Sequence, residues 1–193
     1  IVETTSYAPS TPYAASKLAG DLHLGVLYKR YQFPVVFTRA ANLYGPYQQL
    51  YRIIPRAVIY AKLGRKIILH GGGKSRRAFI HAHDVADATW NAAVRGIAGE
   101  AYHISPKNDL RTIRSIVESV LLQMGKSFEE GVEMQEENYG QDDCFSLNPD
   151  KAQRELGWEC RISLEDGVEQ VIKWVNDNWE IISKMNLEYV HKH

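Results

Sequence analysis

The sequence of 193 residues has no excess of either charge, because Lys and Arg together number 23 and Asp and Glu together also number 23. A chain without net charge has no overall field that would attract nucleic acid or an anionic membrane surface. No apolar run approaches the roughly 20 residues that a membrane-spanning helix needs. The chain does not open with the basic and apolar segments of a secretory leader. We therefore expect neither a nucleic-acid partner nor a membrane partner.

Cysteine is scarce. Cys144 and Cys160 are the only two, and they lack both a C-x-x-C spacing and a disulfide-rich setting. Reduced thiols in a cytoplasmic protein are the expectation from this usage. The histidines show no metal-ligand cluster, since even His81 and His83 lie two residues apart across a predicted strand end. No metal site is predicted.

The sequence also lacks the G-x-G-x-x-G motif of dinucleotide-binding loops. The stretch HGGGKS (70–75) is not a phosphate-binding loop, because that motif needs a glycine where Ile68 stands and a helix after the turn. Its glycines instead predict a tight turn with positive φ. The first residue is Ile1 rather than Met. We expect this chain to be the C-terminal part of a longer protein.

What is present is an alternation of helical periodicity and short β-branched runs, which is typical of an α/β fold with a largely parallel sheet. Ser10 or Thr11 can cap the first helix, and Pro12 suits its first turn. The predicted helices are 13–31, 51–63, 83–94, 112–124, 148–158 and 164–182, and the predicted strands are 35–39, 66–70, 76–81, 100–105 and 131–137. Residues 40–49 are predicted to form a loop. The four tryptophans are interpreted as core or lobe-packing residues: Trp90, Trp158, Trp174 and Trp179.

The stretch TPYAASK (11–17) places Tyr13 and Lys17 one helical turn apart. Residues i and i+4 share a helix face, so the ammonium would lie near the phenol. A nearby positive charge favours phenolate, which is a competent general base toward a substrate hydroxyl. Removing that proton while hydride leaves the same carbon is alcohol oxidation, which needs a nicotinamide acceptor. The spacing alone is weak evidence, and the first turn of an ordinary amphipathic helix is the alternative.

Two pairs of arginines are further candidates. Arg76 and Arg77 begin an apolar strand, and Arg52 and Arg56 lie on the helix after the predicted loop. A guanidinium is a forked donor suited to a diphosphate or carboxylate. Solvated surface charges are the alternative for both pairs.

Several motifs in order resemble the extended short-chain dehydrogenases/reductases that act on nucleotide sugars: TPYAASKLAGD, RAANLYGP, RRAFIHAHDVADA, GEAYHIS and QRELGW. The resemblance is greatest to nucleoside-diphosphate-sugar 4,6-dehydratases and 4-epimerases, and it runs from residue 3 to about residue 180. It implies part of a Rossmann-type doubly wound sheet plus a smaller α/β substrate-binding lobe, with the N-terminal dinucleotide-binding half missing. Residues 1–46 would end the NAD-binding domain, and 47–193 would form mainly the nucleotide-sugar lobe, with 83–105 returning to the Rossmann domain.

The resemblance also implies roles for individual residues. Tyr13 would be the base, and Lys17 would tune it and hold the nicotinamide ribose, while the Leu43 main chain would lie near the nicotinamide. The implied substrate-binding residues are Asn42, Arg52, Ile53, Ile68, Leu69, His70 and Arg77; of these, Arg77 would grip the diphosphate, and residues 68–70 would line the nucleotide-base pocket. The cofactor would be NAD, and the helix of residues 13–31 would pack against its copy in a homodimer.

The chain departs from the family in two places. Where the dehydratases usually carry an arginine, this chain has Asp143 and Cys144, so the identity of the nucleotide remains open. The acid pair that performs elimination in the dehydratases lies upstream of the residues present here. Three functions therefore remain open: an NAD-dependent 4,6-dehydratase, a 4-epimerase, and a non-catalytic NAD-binding protein on the same fold. We expect the chain by itself neither to bind NAD nor to turn over sugar.

Overall fold

A computed structural model of the chain describes residues 1–136 and 144–189. It has a mixed α/β architecture in which helices and short strands alternate along most of the sequence. The helices are α1 (Pro12–Tyr31), α2 (Ile53–Leu63), α3 (Ala82–Arg95), α4 (Ile113–Gln123), α5 (Phe128–Gly131), α6 (Asp150–Leu156), α7 (Leu164–Asp177) and α8 (Trp179–Ile182). The strands are β1 (Phe37–Ala40), β2 (Asn42–Tyr44), β3 (Ile67–His70), β4 (Arg76–Arg77), β5 (Phe79–His81), β6 (Ala101–Ile104), β7 (Arg111–Thr112), β8 (Val132–Gln135) and β9 (Cys144–Phe145).

The strands pair mostly in parallel. Strand β1 pairs with β6, β2 with β5, and β3 with β8, each in parallel register. Strand β4 lies between β7, which is antiparallel to it, and β9, which is parallel. The parallel pairs confirm the α/β class predicted from the alternating pattern.

Two hydrophobic clusters form the core. The larger one packs α2, α4 and α7 around β3, with Val58, Ile116 and Val168 fully buried. The smaller one packs α3 and α6 against β1, β5 and β6, with Ala88 and Tyr102 fully buried. Tyr44 and Phe79, on paired strands, belong to the larger cluster, whereas Ala41, directly before β2, and Ile80, next to Phe79, belong to the smaller one. The β2–β5 pair therefore lies between the two clusters.

Helix α1 forms where the local signals predict it. The Thr11 hydroxyl accepts a hydrogen bond from the Ala14 amide, Pro12 occupies the first turn, and Gln32 ends the helix in the left-handed conformation. None of its 20 residues is buried. Its attachments include a salt bridge of 2.8 Å from Arg39 to Asp21. Helix α1 is therefore held at a few points and has no face packed into either core.

The glycine turn between β3 and β4 confirms the sequence interpretation. Gly71, Gly72 and Gly73 have φ of 56°, 68° and 64°. A Cβ on Gly73 would lie 2.9 Å from the Arg114 backbone nitrogen, so a side chain would not fit there. The turn joins two strands, as predicted, and is not followed by a phosphate-binding helix.

Several element predictions need correction. The loop predicted for residues 40–49 contains strand β2, and the strand predicted for residues 76–81 is interrupted at Ala78, between β4 and β5. The helix predicted for 164–182 ends at Asp177 and restarts at Trp179. The helix predicted for 148–158 begins at Asp150. Position 137, at the end of a predicted strand, lies outside the described residues.

Trp90 is not a core residue, because it is 70% exposed, so of the two alternatives given for it only lobe packing stays a prediction. The buried positions of α3 are Asp84, Ala88 and Ala92, a stripe that Trp90 does not share. Trp158 is buried as predicted, and Trp174 and Trp179 pack at the edge of the larger cluster. No helix within residues 1–136 or 144–189 is long and apolar enough to cross a membrane.

Candidate active site

A cleft of about 900 Å³ lies between α1, the β2 segment and the first turn of α2. Six residues singled out from the sequence line it: Tyr13, Asn42, Leu43, Arg52, Ile53 and Arg77. They come from four separate parts of the chain, so the fold brings together residues that the sequence spreads over more than sixty positions. Among the described residues that line the cleft, none is acidic, and two are arginines. The cleft is therefore suited to an anionic ligand.

Tyr13 lies in the first turn of α1 with its side chain 74% exposed toward the cleft. Lys17 follows one turn later on the same helix and is also exposed. Within the described residues no acidic side chain forms an ion pair with Lys17. Both side chains are therefore accessible to a ligand. Lys17 is not among the residues that line the cleft.

Strand β2 and the turn after it form one wall of the cleft. Asn42 is half-buried and Leu43 is 46% exposed. The Gln48 side-chain amide donates a hydrogen bond of 2.6 Å to the Leu43 carbonyl, which folds residues 45–49 back over the strand. Gly45 has φ of +150°, and a Cβ there would lie 3.2 Å from His81 Nε2. The turn therefore depends on a glycine to approach the start of α3.

The two arginines of the cleft are held differently. Arg52 is exposed, directly before α2, with its guanidinium carbon 5.5 Å from the centre of the Tyr51 ring. Arg77 is half-buried on β4, and its Nη1 donates a hydrogen bond of 2.8 Å to the Arg76 carbonyl. Guanidinium groups at two points of the cleft lining form a donor set that suits phosphate oxygens.

Three candidates lie away from this cleft, on β3. Ile68 and His70 expose their side chains on one face of the strand, whereas Leu69 is 3% exposed and packs in the larger core cluster. A base pocket here would use the side chains of Ile68 and His70 and only the main chain of Leu69. Asp143, one of the two departures from the family, lies outside the described residues; Cys144 is exposed on β9.

His81 lies behind the cleft, and its importance was not recognised from the sequence. Its Nδ1 accepts a hydrogen bond from the His83 amide, so the proton of the neutral ring is on Nε2, which faces Gly45. Nε2 is buried and has no hydrogen-bond partner among the described residues. Burial, and then the neighbouring His83, lower the pKa of His81. His81 therefore remains neutral and fills the space under the Gly45 turn.

Asp84 is a second residue that sequence reasoning missed. Its carboxylate, 2% exposed, accepts hydrogen bonds from the Arg161 and Ile162 amides at 3.1 and 3.0 Å. The Cys160 thiol donates to the same carboxylate at 3.2 Å. Burial, together with this hydrogen bond, raises the pKa of Cys160 to about 12. Asp84 thus joins the start of α3, under the cleft wall, to the segment that leads into α7.

The parallel strand pairs and the helices between them define a Rossmann-type α/β protein, and its cleft places an exposed tyrosine together with two arginines. The sequence model of the family described as GDP-mannose 4,6 dehydratase matches residues 1–171. The chain therefore belongs to this family of short-chain nucleotide-sugar dehydratases and epimerases.

Individual relatives agree with this assignment. The dTDP-glucose 4,6-dehydratase of Shigella flexneri is 33% identical over 185 residues, which cover 92% of this chain and 51% of that protein. The structure of the Bacillus anthracis dTDP-glucose 4,6-dehydratase in complex with NAD has a TM-score of 0.85 at 33% identity, and the match covers 92% of this chain and 56% of that one. DesIV, the dTDP-glucose 4,6-dehydratase of Streptomyces venezuelae, with NAD and TYD bound, has a TM-score of 0.86 at 31% identity over 93% of this chain and 55% of that one. The chain spans about half the length of the curated relatives it matches.

Proposed function

We propose that the whole protein containing this chain is an NAD-dependent nucleotide-sugar 4,6-dehydratase. The observation that supports this most directly is the cleft that Tyr13, Asn42, Arg52 and Arg77 line together, because it combines an exposed phenol with two cations. The names of the similar proteins support the same reaction class.

The residues present fit one end of an NAD molecule. Tyr13 and Lys17 are exposed one turn apart on α1, and Leu43 is half-exposed at the cleft wall. An ammonium and a phenol spaced in this way can both donate hydrogen bonds to ribose hydroxyls. They would hold the nicotinamide ribose, and the Leu43 main chain would lie beside the nicotinamide. When bound, NAD would accept hydride from C4 of the sugar and return it to C6.

Tyr13 would act as the general base. Its phenolate would take the proton of the sugar 4-hydroxyl, and Lys17, one turn away, would favour that charge state through its own charge. Oxidation at C4 leaves a ketone, which acidifies the proton on C5 and permits loss of water across C5 and C6. The acid and base of that elimination are not among the candidate residues of this chain.

The rest of the cleft would hold the nucleoside diphosphate. Arg77 and Arg52 would donate to the diphosphate oxygens, and Asn42 and Ile53 would contact the substrate beside them. Ile68 and His70, with the main chain of Leu69, would accommodate the base on β3, away from the cleft lining. The two arginines in the lining favour a diphosphate over a neutral sugar.

The decisive experiment incubates the whole protein with NAD and a panel of nucleoside-diphosphate sugars. The dehydratase proposal expects a 4-keto-6-deoxy product, detectable by mass as the loss of one water. A product that keeps its 6-oxygen and differs from the substrate at C4 would instead establish the 4-epimerase, the second function consistent with Tyr13 and Lys17.

A matched pair of variants separates catalysis from a binding role. Tyr13→Phe removes the hydroxyl and keeps the ring, so turnover should fall at least about 100-fold, as expected for loss of a general base. Tyr31→Phe makes the same change at the far end of α1, outside the cleft, and should leave turnover unchanged. Full turnover in Tyr13→Phe would refute Tyr13 as the general base. Normal biological function in that variant, without turnover, would favour the non-catalytic NAD-binding protein.

The domain organisation and assembly are part of the same proposal. Residues 1–46 and 83–105 would belong to the NAD-binding domain, and the rest of 47–193 mainly to the substrate lobe. Helix α1 would pack against its copy in a homodimer, since Leu22 and Val26 are more than half exposed on it. The chain alone should bind no NAD and turn over no sugar, which calorimetry with NAD can test. A cytoplasmic location stays a prediction.

A further inference from the structure

The segment that follows α8 crosses back over the first turns of α2. We call residues 183–189 the C-terminal strap. Leu187 packs at the edge of the larger core cluster, and the two residues after it contact side chains of the α2 region. The strap therefore reaches the helix whose first turn lines the cleft.

Glu188 is the anchor of the strap. Its carboxylate oxygens accept hydrogen bonds from Arg56 Nη2 at 3.1 and 3.2 Å, and Oε1 also accepts one from the Tyr60 hydroxyl at 3.0 Å. Arg56 Nη2 donates to the Tyr60 hydroxyl at 2.9 Å, and the guanidinium lies 4.9 Å from the centre of the Tyr60 ring. The three side chains form a closed network, which holds its members more firmly than a single exposed ion pair would.

Tyr189 continues from the anchor to the cleft. Its ring meets the Tyr51 ring edge to face, with centroids 5.2 Å apart and planes at 71°. Tyr51 lines the cleft, and its ring supports the Arg52 guanidinium at 5.5 Å. An unbroken series of contacts thus leads from Tyr189 through Tyr51 to a cation of the cleft wall.

We propose that Glu188 and Tyr189 are positioning residues for substrate: the strap fixes the Tyr51 ring, and through it Arg52, on the cleft wall. This proposal rests on the proposed function, because it assigns Arg52 to the substrate diphosphate. Neither strap residue touches the reacting atoms. Their effect is on binding, so it appears in the affinity for a nucleoside diphosphate and leaves the chemistry of Tyr13 unchanged.

The test measures binding of uridine 5′-diphosphate and thymidine 5′-diphosphate to the whole protein by calorimetry. An aromatic pair contributes about 0.5–1.5 kcal/mol, so Tyr189→Ala should weaken binding about 2- to 10-fold. Tyr189→Phe keeps the ring and should restore the affinity, a rescue that general destabilisation would not produce. Glu188→Gln should also weaken binding. Its matched control is Glu180→Gln, at an exposed position on α8, which should leave binding unchanged.

Hydrogen exchange supplies a readout that does not depend on ligand. Glu188→Gln and Tyr189→Ala should speed amide exchange at residues 51–56 and leave α4 unchanged. Wild-type affinity in Tyr189→Ala would overturn the proposal while leaving the proposed function intact. If the unaltered protein binds neither diphosphate, the proposed function fails. The exchange result alone then decides whether the strap holds Tyr51. Unchanged exchange in both variants would show that the strap does not hold Tyr51.

Discussion

Replacing Asp84 tests how the cleft wall is fastened to the rest of the fold. The Asp84 carboxylate accepts hydrogen bonds from the backbone amides of Arg161 and Ile162 and from the Cys160 thiol. Both oxygens are used: Oδ1 by Arg161, and Oδ2 by the other two donors. The Asp84 main-chain carbonyl also accepts a hydrogen bond of 3.0 Å from the Trp158 indole, which a substitution at position 84 would leave in place.

The expected magnitude follows from counting donors left without an acceptor. Asn at position 84 keeps one oxygen and turns an NH₂ group toward the other donors, so at least one amide N–H loses its partner. Leaving a buried donor unsatisfied costs about 1–3 kcal/mol. Asp84→Asn should therefore lower the free energy of unfolding by about 1–3 kcal/mol, and Asp84→Ala, which strands both amides, by about 2–6 kcal/mol.

The assay is urea unfolding of the chain, followed by tryptophan fluorescence. Asp87→Asn is the matched control, because Asp87 is exposed less than one turn further along α3, and a surface change of this kind should alter stability by no more than about 0.5 kcal/mol. If Asp84→Asn were as stable as Asp87→Asn, the carboxylate would not fasten α3 to residues 160–162, and the reasoning would be refuted.

Three further predictions concern thiols, a glycine and pH. Cys144 is exposed and the pKa of Cys160 is raised to about 12, so iodoacetamide at pH 8 should label the first in the folded chain and the second only after denaturation; equal labelling would contradict the burial of Cys160. Gly45→Ala should lower the free energy of unfolding by about 1–3 kcal/mol, measured in urea, because its Cβ would press on the His81 ring; no change would mean that the turn relaxes freely. Burial lowers the pKa of both His81 and His103, so the unfolded chain binds protons more readily and stability should fall as pH drops below about 6.5. In urea series between pH 7.5 and 5.5, His81→Gln should reduce that slope, and an unaltered slope would exclude His81 as a source.

Sequence reasoning succeeded where the controlling signals are local. The start of α1 follows from Thr11 and Pro12, whose capping and fixed φ act within one turn. The glycine turn at 71–73 follows from backbone freedom alone. Six candidate residues meet in one cleft because order along an α/β chain constrains which strand ends and helix starts are neighbours.

Trp90 shows how composition can mislead where spacing would have been informative. Core packing was one of the two alternatives for this large apolar side chain, yet 70% of it is exposed. The buried stripe of α3 recurs every four residues, at Asp84, Ala88 and Ala92. Trp90 lies two positions from Ala88 and two from Ala92, about half a turn away from that stripe. The spacing predicts the exposure of Trp90 once Asp84, a polar residue, is counted as part of the buried face.

The role of Asp84 could not have been predicted, because its partners are 76 to 78 residues away in sequence. Nothing local distinguishes it from an acid placed near a helix start to complement the helix dipole. The same applies to Glu188, whose hydrogen-bond partner Arg56 lies 132 positions earlier. Contacts of this range depend on how the elements pack, which a single sequence does not specify.

The structure separates the two tasks of the candidate site. Arg52 adjoins α2, whose residues Ile54, Val58 and Ile59 are buried in the larger core cluster, so the segment that carries this cation is anchored in that cluster. Tyr13 lies on α1, which has no buried residue. A helix without a packed face gains little from tertiary structure, and an exposed salt bridge adds only about 0–1 kcal/mol. Arg52, proposed to bind the diphosphate, is therefore supported by the core of this chain, whereas Tyr13, the proposed base, lies on a helix that packs into neither core cluster.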